Sequence, residues 1–377
     1  MAKCKKKNDG IIAENPDFLT EQIITYIGNK RALLSFIGTA VDYVKADLKK
    51  DKLTTVDIFS GSGIVSRFLK QHSSHLIAND LEDYCTVINK CYLTNKNDVN
   101  QEELNHYYNY LTEKLNNQPL KRGFIADMYA PANDQDIKKG ERVFYTTRNA
   151  MYIDTARQLL EDIPQPYKTY FMGPLLYEAS VHNNTSGVFK GFYKNSKTGI
   201  GQYGGDGKNA LTRILADIQI KKPIFSNFNC DVTVYQEDAN TLAEKLPEVD
   251  LVYMDPPYNQ HPYGSNYFML NIINSYKQPE EVSQVSGIPK KWNKSKYNKK
   301  QEAKNSMYDL CNKLKAKYLL ISFSSDGFIS KDEMVEMLSK LGEVKVLDKD
   351  YNTFRGSRNL NNRDIHIKEF LYLVKKF

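Results

Sequence analysis

The apolar positions of this chain fall into two regimes. In the first hundred residues and in the last third they come in short runs bounded by turn residues; between these stretches they recur at helical spacing. Residues 54–59 (Thr-Thr-Val-Asp-Ile-Phe) form the first run. Ser60-Gly61-Ser62-Gly63 then turns the chain, and residues 64–71 carry helical spacing. A second run, residues 75–79 (His-Leu-Ile-Ala-Asn), ends at Asp80, and residues 81–95 are helical again. Short bounded apolar runs predict strands, and a period near 3.6 predicts helices. Together they make a strand–helix–strand unit of parallel type.

The pattern then breaks. From about 97 to 231 the chain is polar-patterned helix and loop, with helical spacing at 102–116, 147–162, 166–180 and 208–220. A glycine-rich, aromatic and basic stretch, Ser186 to Gly207, lies between the last two. Strand-like runs return at 232–235, 251–254, 318–323, 344–348 and 369–374. The last two have no helix between them, which predicts an antiparallel hairpin at the sheet edge. The expected fold is a Rossmann-like α/β domain, residues 1–96 and 232–377, split by a largely helical insert over 97–231. No internal repeat is visible.

Composition narrows the class. A chain of 377 residues suggests two or three domains, at roughly 150 residues each. Hydrophobic residues make up 41%, enough for a core, and 52 basic against 45 acidic residues leave a net charge of +7. That balance permits an anionic partner without requiring one. The cysteines (Cys4, Cys85, Cys91, Cys230, Cys311) are scattered, with no Cys-x-x-Cys and no histidine cluster of zinc spacing. This pattern predicts no metal and a reducing, cytoplasmic setting. No run approaches the ~18 apolar residues of a membrane span. The basic start, Met1 to Lys7, reads as a solvated tail.

The most informative residues are Asp255-Pro256-Pro257-Tyr258, which follow the apolar run Val249 to Met254. Ligands of open α/β sheets sit beyond the carboxyl ends of such strands. Two prolines fix φ and remove two amide donors. An acid, bare carbonyls and an aromatic ring are thereby held at one rigid point, a cradle for a flat ring bearing an amino group. A plain strand-to-turn junction has the same local sequence.

Asp57 to Gly63 is a glycine loop between strand and helix, where the backbone can approach a ligand closely. Asp80 ends the next strand, a placement suited to ribose hydroxyls or to capping a helix. A third glycine is absent, which favours a nucleoside-type cofactor over a pyrophosphate-bearing dinucleotide. Upstream, Lys30 in Tyr26-Ile27-Gly28-Asn29-Lys30-Arg31 sits at the start of a helical pattern; alone it reads as a surface lysine. Asp238 closes the third strand, and either accepts from an adenine amino group or caps the following helix.

In this order, the segments Tyr26–Lys30, Asp57–Gly63, Asp80, Gln236–Asp238 and Asp255–Tyr258 resemble the adenine-N6 DNA methyltransferases that use S-adenosylmethionine. The arrangement is similar to the Dam-like one, with the glycine motif before the insert and the DPPY motif after it. The resemblance implies that Phe59, Gly61 and Gly63 line the cofactor's methionine and ribose, and that Asp80 binds the ribose. It implies that Asp238 holds the cofactor's adenine, with Lys30 and Tyr26 near its carboxylate. Asp255, also beside the cofactor, and the Pro256 carbonyl would accept from the target amino group, with Tyr258 stacked on the target base. The target is an adenine flipped out of duplex DNA, because the reacting atom is unreachable inside a duplex.

Nucleic-acid contacts are expected in three places. Residues 289–300 carry six lysines and no acid, interleaved with the only tryptophan, Trp292, and with Tyr297. There Lys290, Lys291, Trp292, Lys294 and Lys296 either track a phosphate backbone or form a solvated loop. Tyr351 to Arg363 contains Arg355, Arg358 and Arg363, suited to phosphates or to an ordinary edge loop. In the insert, Lys190 within Phe189 to Asn195, and Arg213, are candidates for contact with DNA; His182-Asn183-Asn184 either touches bases or satisfies a turn. A monomer is expected, with a cognate restriction endonuclease encoded separately. Two rivals remain: an amino-group methyltransferase acting on RNA or a protein amide, and a non-catalytic nucleic-acid-binding subunit of the same fold.

Overall fold

A computed structural model describes residues 13–352 and 366–377. Seven strands form one sheet: β1 Leu53–Asp57, β2 Ser73–Asn79, β3 Asp231–Tyr235, β4 Val249–Met254, β5 Ala316–Ser324, β6 Gly342–Asn352 and β7 His366–Lys376. Their order is β3-β2-β1-β4-β5-β7-β6. Pairings from β3 through β5 are parallel, while β7 runs antiparallel to both β5 and β6. The expected hairpin is present, with its second strand tucked inside the first. The order reverses direction between β1 and β4, which makes their carboxyl ends the switch point where ligands bind in such sheets.

Strand alternation builds two helix-covered faces. Leu251 and Tyr253 of β4 pack toward α1 (Leu34–Leu48) and α2 (Ile64–Lys70), with Ile37, Val41 and Leu69. Val252 and Met254 face the opposite way. They share a core with α9 (Ala239–Lys245), α12 (Lys300–Lys313) and α13 (Lys331–Leu338).

A third cluster lies apart from these two faces. It joins α3 (Asp83–Tyr92), α4 (Gln101–Asn117), α5 (Phe124–Tyr129), α6 (Thr147–Glu161) and α7 (Tyr167–Val181) to α11 (Phe268–Ser275). The short α10 (Tyr263–Asn266) leads into α11. Helices α4 to α7, between α3 and β3, thus share one core with α3, which precedes them, and with α11, which follows β4.

One expected helix is mostly absent. Of 208–220, only α8, Leu211–Leu215, is helical. The side-chain amide of Asn149 donates to Ala216 O at 2.9 Å and accepts from Ile218 N at 3.0 Å. A buried amide that offers the backbone both partners outcompetes a further helical turn.

Candidate active site

The carboxyl ends of β1, β2, β3 and β4 open on one cavity. Tyr26, Lys30, Phe59, Gly61, Asp80, Asp238 and Asp255 all line it. Gly63, Pro256 and Tyr258 stand just outside its wall.

The glycine loop is shaped by what packs beneath it. Gly61 has φ +50°, and a Cβ there would lie 2.9 Å from Tyr26 Cε1. Gly63 has φ +77° and closes against Asn89 in the same way. The Tyr26 ring cannot yield easily, because it is stacked between Tyr263 and Tyr267 at centroid distances of 4.9 and 4.7 Å. Ile27 N donates to the Tyr267 hydroxyl at 2.7 Å, and Tyr263 Oη donates to Ile27 O at 3.2 Å. The segment after the proline turn therefore clamps the N-terminal segment under the loop.

Asp80 braces the same loop: its carboxylate accepts from Gly61 N at 2.8 Å and Glu82 N at 3.0 Å. The cap of α3 is Glu82, so Asp80 is not that helix's cap. Asp238 does cap α9, accepting from Asn240 N and Thr241 N at 3.1 Å each, while still facing the cavity.

Lys30 is not a surface lysine. It is 4% exposed, just before the short turn Arg31–Leu33 that opens into α1. Its Nζ lies 2.9 Å from Asp255 Oδ2 and 3.6 Å from Glu369 Oε1, and donates to Gly28 O at 3.1 Å. Burial works against its charge, but the two carboxylates more than compensate and raise its pKa well above the ordinary lysine value. Burial pushes the Asp255 carboxyl up to about 6 despite Lys30. Asp57, at the end of β1, is fully buried; one oxygen accepts from Ser66 Oγ at 2.6 Å and the other has no partner. Burial, with Asp255 and Asp80 adding to it, raises this carboxyl to about 7.

The lysine-rich stretch has two faces. Asn293, Ser295, Tyr297 and Asn298 line the cavity, with Asn293 Nδ2 donating to Leu81 O at 3.1 Å. Lys290, Lys291 and Trp292 line a second hollow, and Lys291, Lys294 and Lys296 are exposed. Lys290 is paired with Glu281 at 2.7 Å, and Lys294 sits 5.7 Å from the Trp292 ring centre. Tyr258 packs edge-on against Phe323, with ring centres 5.9 Å apart, and its carbonyl accepts from Phe328 N at 3.0 Å.

Several insert residues are committed to structure instead. Phe189 is buried, Arg213 binds the carbonyls of Val181 and Thr185, and Asn183 and Asn184 are buried and bonded to backbone. His182 contacts Arg213 O and Glu178. Lys190 is exposed, 3.5 Å from His261. The basic tail Met1 to Lys7 and Arg355, Arg358 and Arg363 lie outside the described residues.

Glu369 and Asn293 carried no role in the sequence reading, nor did Asp57 within its motif, and Tyr297 figured only as an aromatic among the lysines. Asp57 had a visible signal, a carboxylate ending a buried strand. Glu369 had a fainter one, an acid abutting the apolar run Phe370 to Val374. Among the described residues no helix is long and apolar enough to cross a membrane, and no group of side chains has metal-binding geometry.

A mostly parallel sheet with a glycine loop after β1 and an acid–proline turn after β4, both facing one cavity, defines an α/β methyltransferase. The chain belongs to the D12 class N6 adenine-specific DNA methyltransferases, whose family model matches residues 26–337. It is 29% identical over 362 residues to the type II methyltransferase M.CviAII of Paramecium bursaria Chlorella virus 1, covering 93% of this chain and 98% of that protein. It is 27% identical over 361 residues to the type II methyltransferase M.NlaIII of Neisseria lactamica, covering 94% and 99% respectively. The type II methyltransferase M.FokI of Planomicrobium okeanokoites is 26% identical over 372 residues, of which this chain spans 52%.

Proposed function

We propose that one crevice divides the work of site-specific adenine-N6 methylation of duplex DNA between a cofactor side and a target side. The observation that carries this reading is that Asp255 and the Gly61 loop, far apart in sequence, line the same cavity. On the cofactor side, S-adenosylmethionine supplies a methyl group on an electrophilic sulfonium. The residues present fit it: a glycine loop whose backbone is open to a ligand, Asp80 and Asp238 at separate strand ends, and a buried Asp57 oxygen lacking a partner. That oxygen suits a cationic amino group.

On the target side, an aromatic amine is a poor nucleophile because its lone pair is delocalised into the ring. Asp255 and the Pro256 carbonyl accept its two hydrogens and localise that lone pair on nitrogen. Tyr258 stacks on the extruded base, a contact worth ~1–3 kcal/mol, which offsets part of the cost of flipping. The chain thus works mainly by positioning and electrostatics. Lys291, Lys294 and Lys296, beside Trp292, track the DNA backbone at the rim.

The relatives are type II methyltransferases, which supports a place in a restriction–modification system; to this we add an intracellular monomer with a separately encoded nuclease. The test is to incubate the purified protein with methyl-labelled S-adenosylmethionine and either duplex DNA or RNA, then map the modified bases. N6-methyladenine at one recurring sequence in duplex DNA is expected. Label in RNA alone would refute the reading, as would methyl groups on other atoms.

A further inference from the structure

We propose that Glu369, on β7, is a positioning residue for the transfer: it shares Lys30 with Asp255 and so leaves a net negative charge facing the target amine. The proposal deepens the adenine-N6 reading and rests on it.

The geometry is a triad drawn from three distant parts of the chain, with Lys30 and Glu369 buried and Asp255 partly open to the cavity. Lys30 Nζ bridges Asp255 Oδ2 at 2.9 Å and Glu369 Oε1 at 3.6 Å, and the Lys30 and Glu369 side chains are 5% and 3% exposed. Glu369 is itself held by Ser322 Oγ of β5, which donates to Oε1 at 2.6 Å. β5 lies between β4 and β7, so this serine is the polar link across the intervening strand. Two carboxylates on one ammonium carry a net charge of minus one, whereas Lys30 and Asp255 alone would be neutral.

That difference matters at the moment of transfer. The carbon–sulfur bond breaks with its electron pair going to sulfur, and the nitrogen lone pair forms the new bond to carbon. Positive charge moves from sulfur to N6 until a proton leaves N6 for the Asp255 carboxylate and then water. A net negative site stabilises the charge arriving on nitrogen; a neutral pair does so weakly. Glu369 does not line the cavity, so it acts through Lys30 and Asp255. The other titratable groups facing Asp255 are Asp57 of β1, Tyr253 of β4, and Tyr258 and Tyr263 beyond the turn.

The test compares wild type with Glu369→Gln and Glu369→Asp. Removing a negative neighbour favours the ionised form of Asp255, so its titration should move to lower pH. This is read directly from the Asp255 carboxyl carbon by NMR in cofactor-free protein, and again from the acid limb of kcat. The plateau kcat of Glu369→Gln should fall about tenfold, with S-adenosylmethionine affinity by calorimetry unchanged. Glu369→Asp, which keeps the charge, should fall between the two on both readouts. An unmoved Asp255 titration overturns the proposal; so does weakened cofactor binding in Glu369→Gln, or Glu369→Asp behaving no better than it. If wild type itself methylates no adenine in duplex DNA, the underlying reading fails and the NMR titration still judges the charge coupling.

Discussion

Replacing Gly61 by alanine tests whether the glycine loop is held open by the tyrosine stack below it. Two costs are legible in the structure. The backbone at Gly61 has φ +50°, and a side chain in the left-handed region costs roughly 1–2 kcal/mol. The new Cβ would also stand 2.9 Å from Tyr26 Cε1. Tyr26 is stacked on both sides and tied through Ile27 to two tyrosine hydroxyls, so relief must come from backbone movement. Overpacking of this kind costs about 1–3 kcal/mol. Together these put the loss at roughly 2–5 kcal/mol in ligand-free protein.

Gly191→Ala is the control. Gly191 has an ordinary φ, and a Cβ there meets nothing within 4 Å. Its effect should stay within about 0.5 kcal/mol. Urea denaturation without ligand reads both variants. In a Tyr26→Ala background, Gly61→Ala should lose its steric part and cost only about 1–2 kcal/mol. Equal stability of Gly61→Ala and Gly191→Ala, or an undiminished cost in the Tyr26→Ala background, would refute the reasoning.

Other expectations follow from the same geometry. Tyr258→Ala should lower turnover roughly tenfold or more through lost stacking, with S-adenosylmethionine affinity nearly intact, because Tyr258 lies outside the cavity wall; comparable loss of cofactor affinity in calorimetry contradicts its role. Wild-type kcat should fall as pH drops through about 6, where burial holds the Asp255 carboxyl, and a profile flat to pH 5 would remove Asp255 as the ionised acceptor. Burial raises Asp57 to about 7 from 3.8, so the folded state holds a proton that the unfolded state has lost between those values. Stability from this group is complete below about pH 4 and declines as pH rises toward about 7. Asp57→Asn should therefore flatten the denaturation midpoint against pH over that window; an unchanged slope counts against the buried carboxyl. Changing Lys291, Lys294 and Lys296 together to glutamine should reduce the slope of log K for DNA against log salt by about 2–3, and an unchanged slope would separate this rim from the DNA.

What the sequence determined by itself was whatever depends on neighbours along the chain. The short apolar runs became strands, because a brief apolar run bounded by turn residues is a pattern of neighbours, and strands buried on both faces read as continuous apolar runs. The turn at Asp255 to Tyr258 was legible because proline removes conformational freedom wherever it stands. The glycines of the loop could be read for the same reason, since positive φ is nearly theirs alone. Tertiary structure decided everything that depends on which distant groups converge. A lone lysine is normally exposed, yet Lys30 is buried because Asp255, in the turn after β4, and Glu369, on β7, arrive from distant parts of the chain to hold its charge. Residues 216–220 leave the expected helix because the Asn149 side chain, from another helix, offers their backbone better partners. The lysine-rich stretch contributes Asn293 and Tyr297 to the cavity wall because the fold lays it across the mouth, where charge pattern alone reveals only its solvent-facing side. Burial and partnership are long-range properties, and no local spacing encodes them.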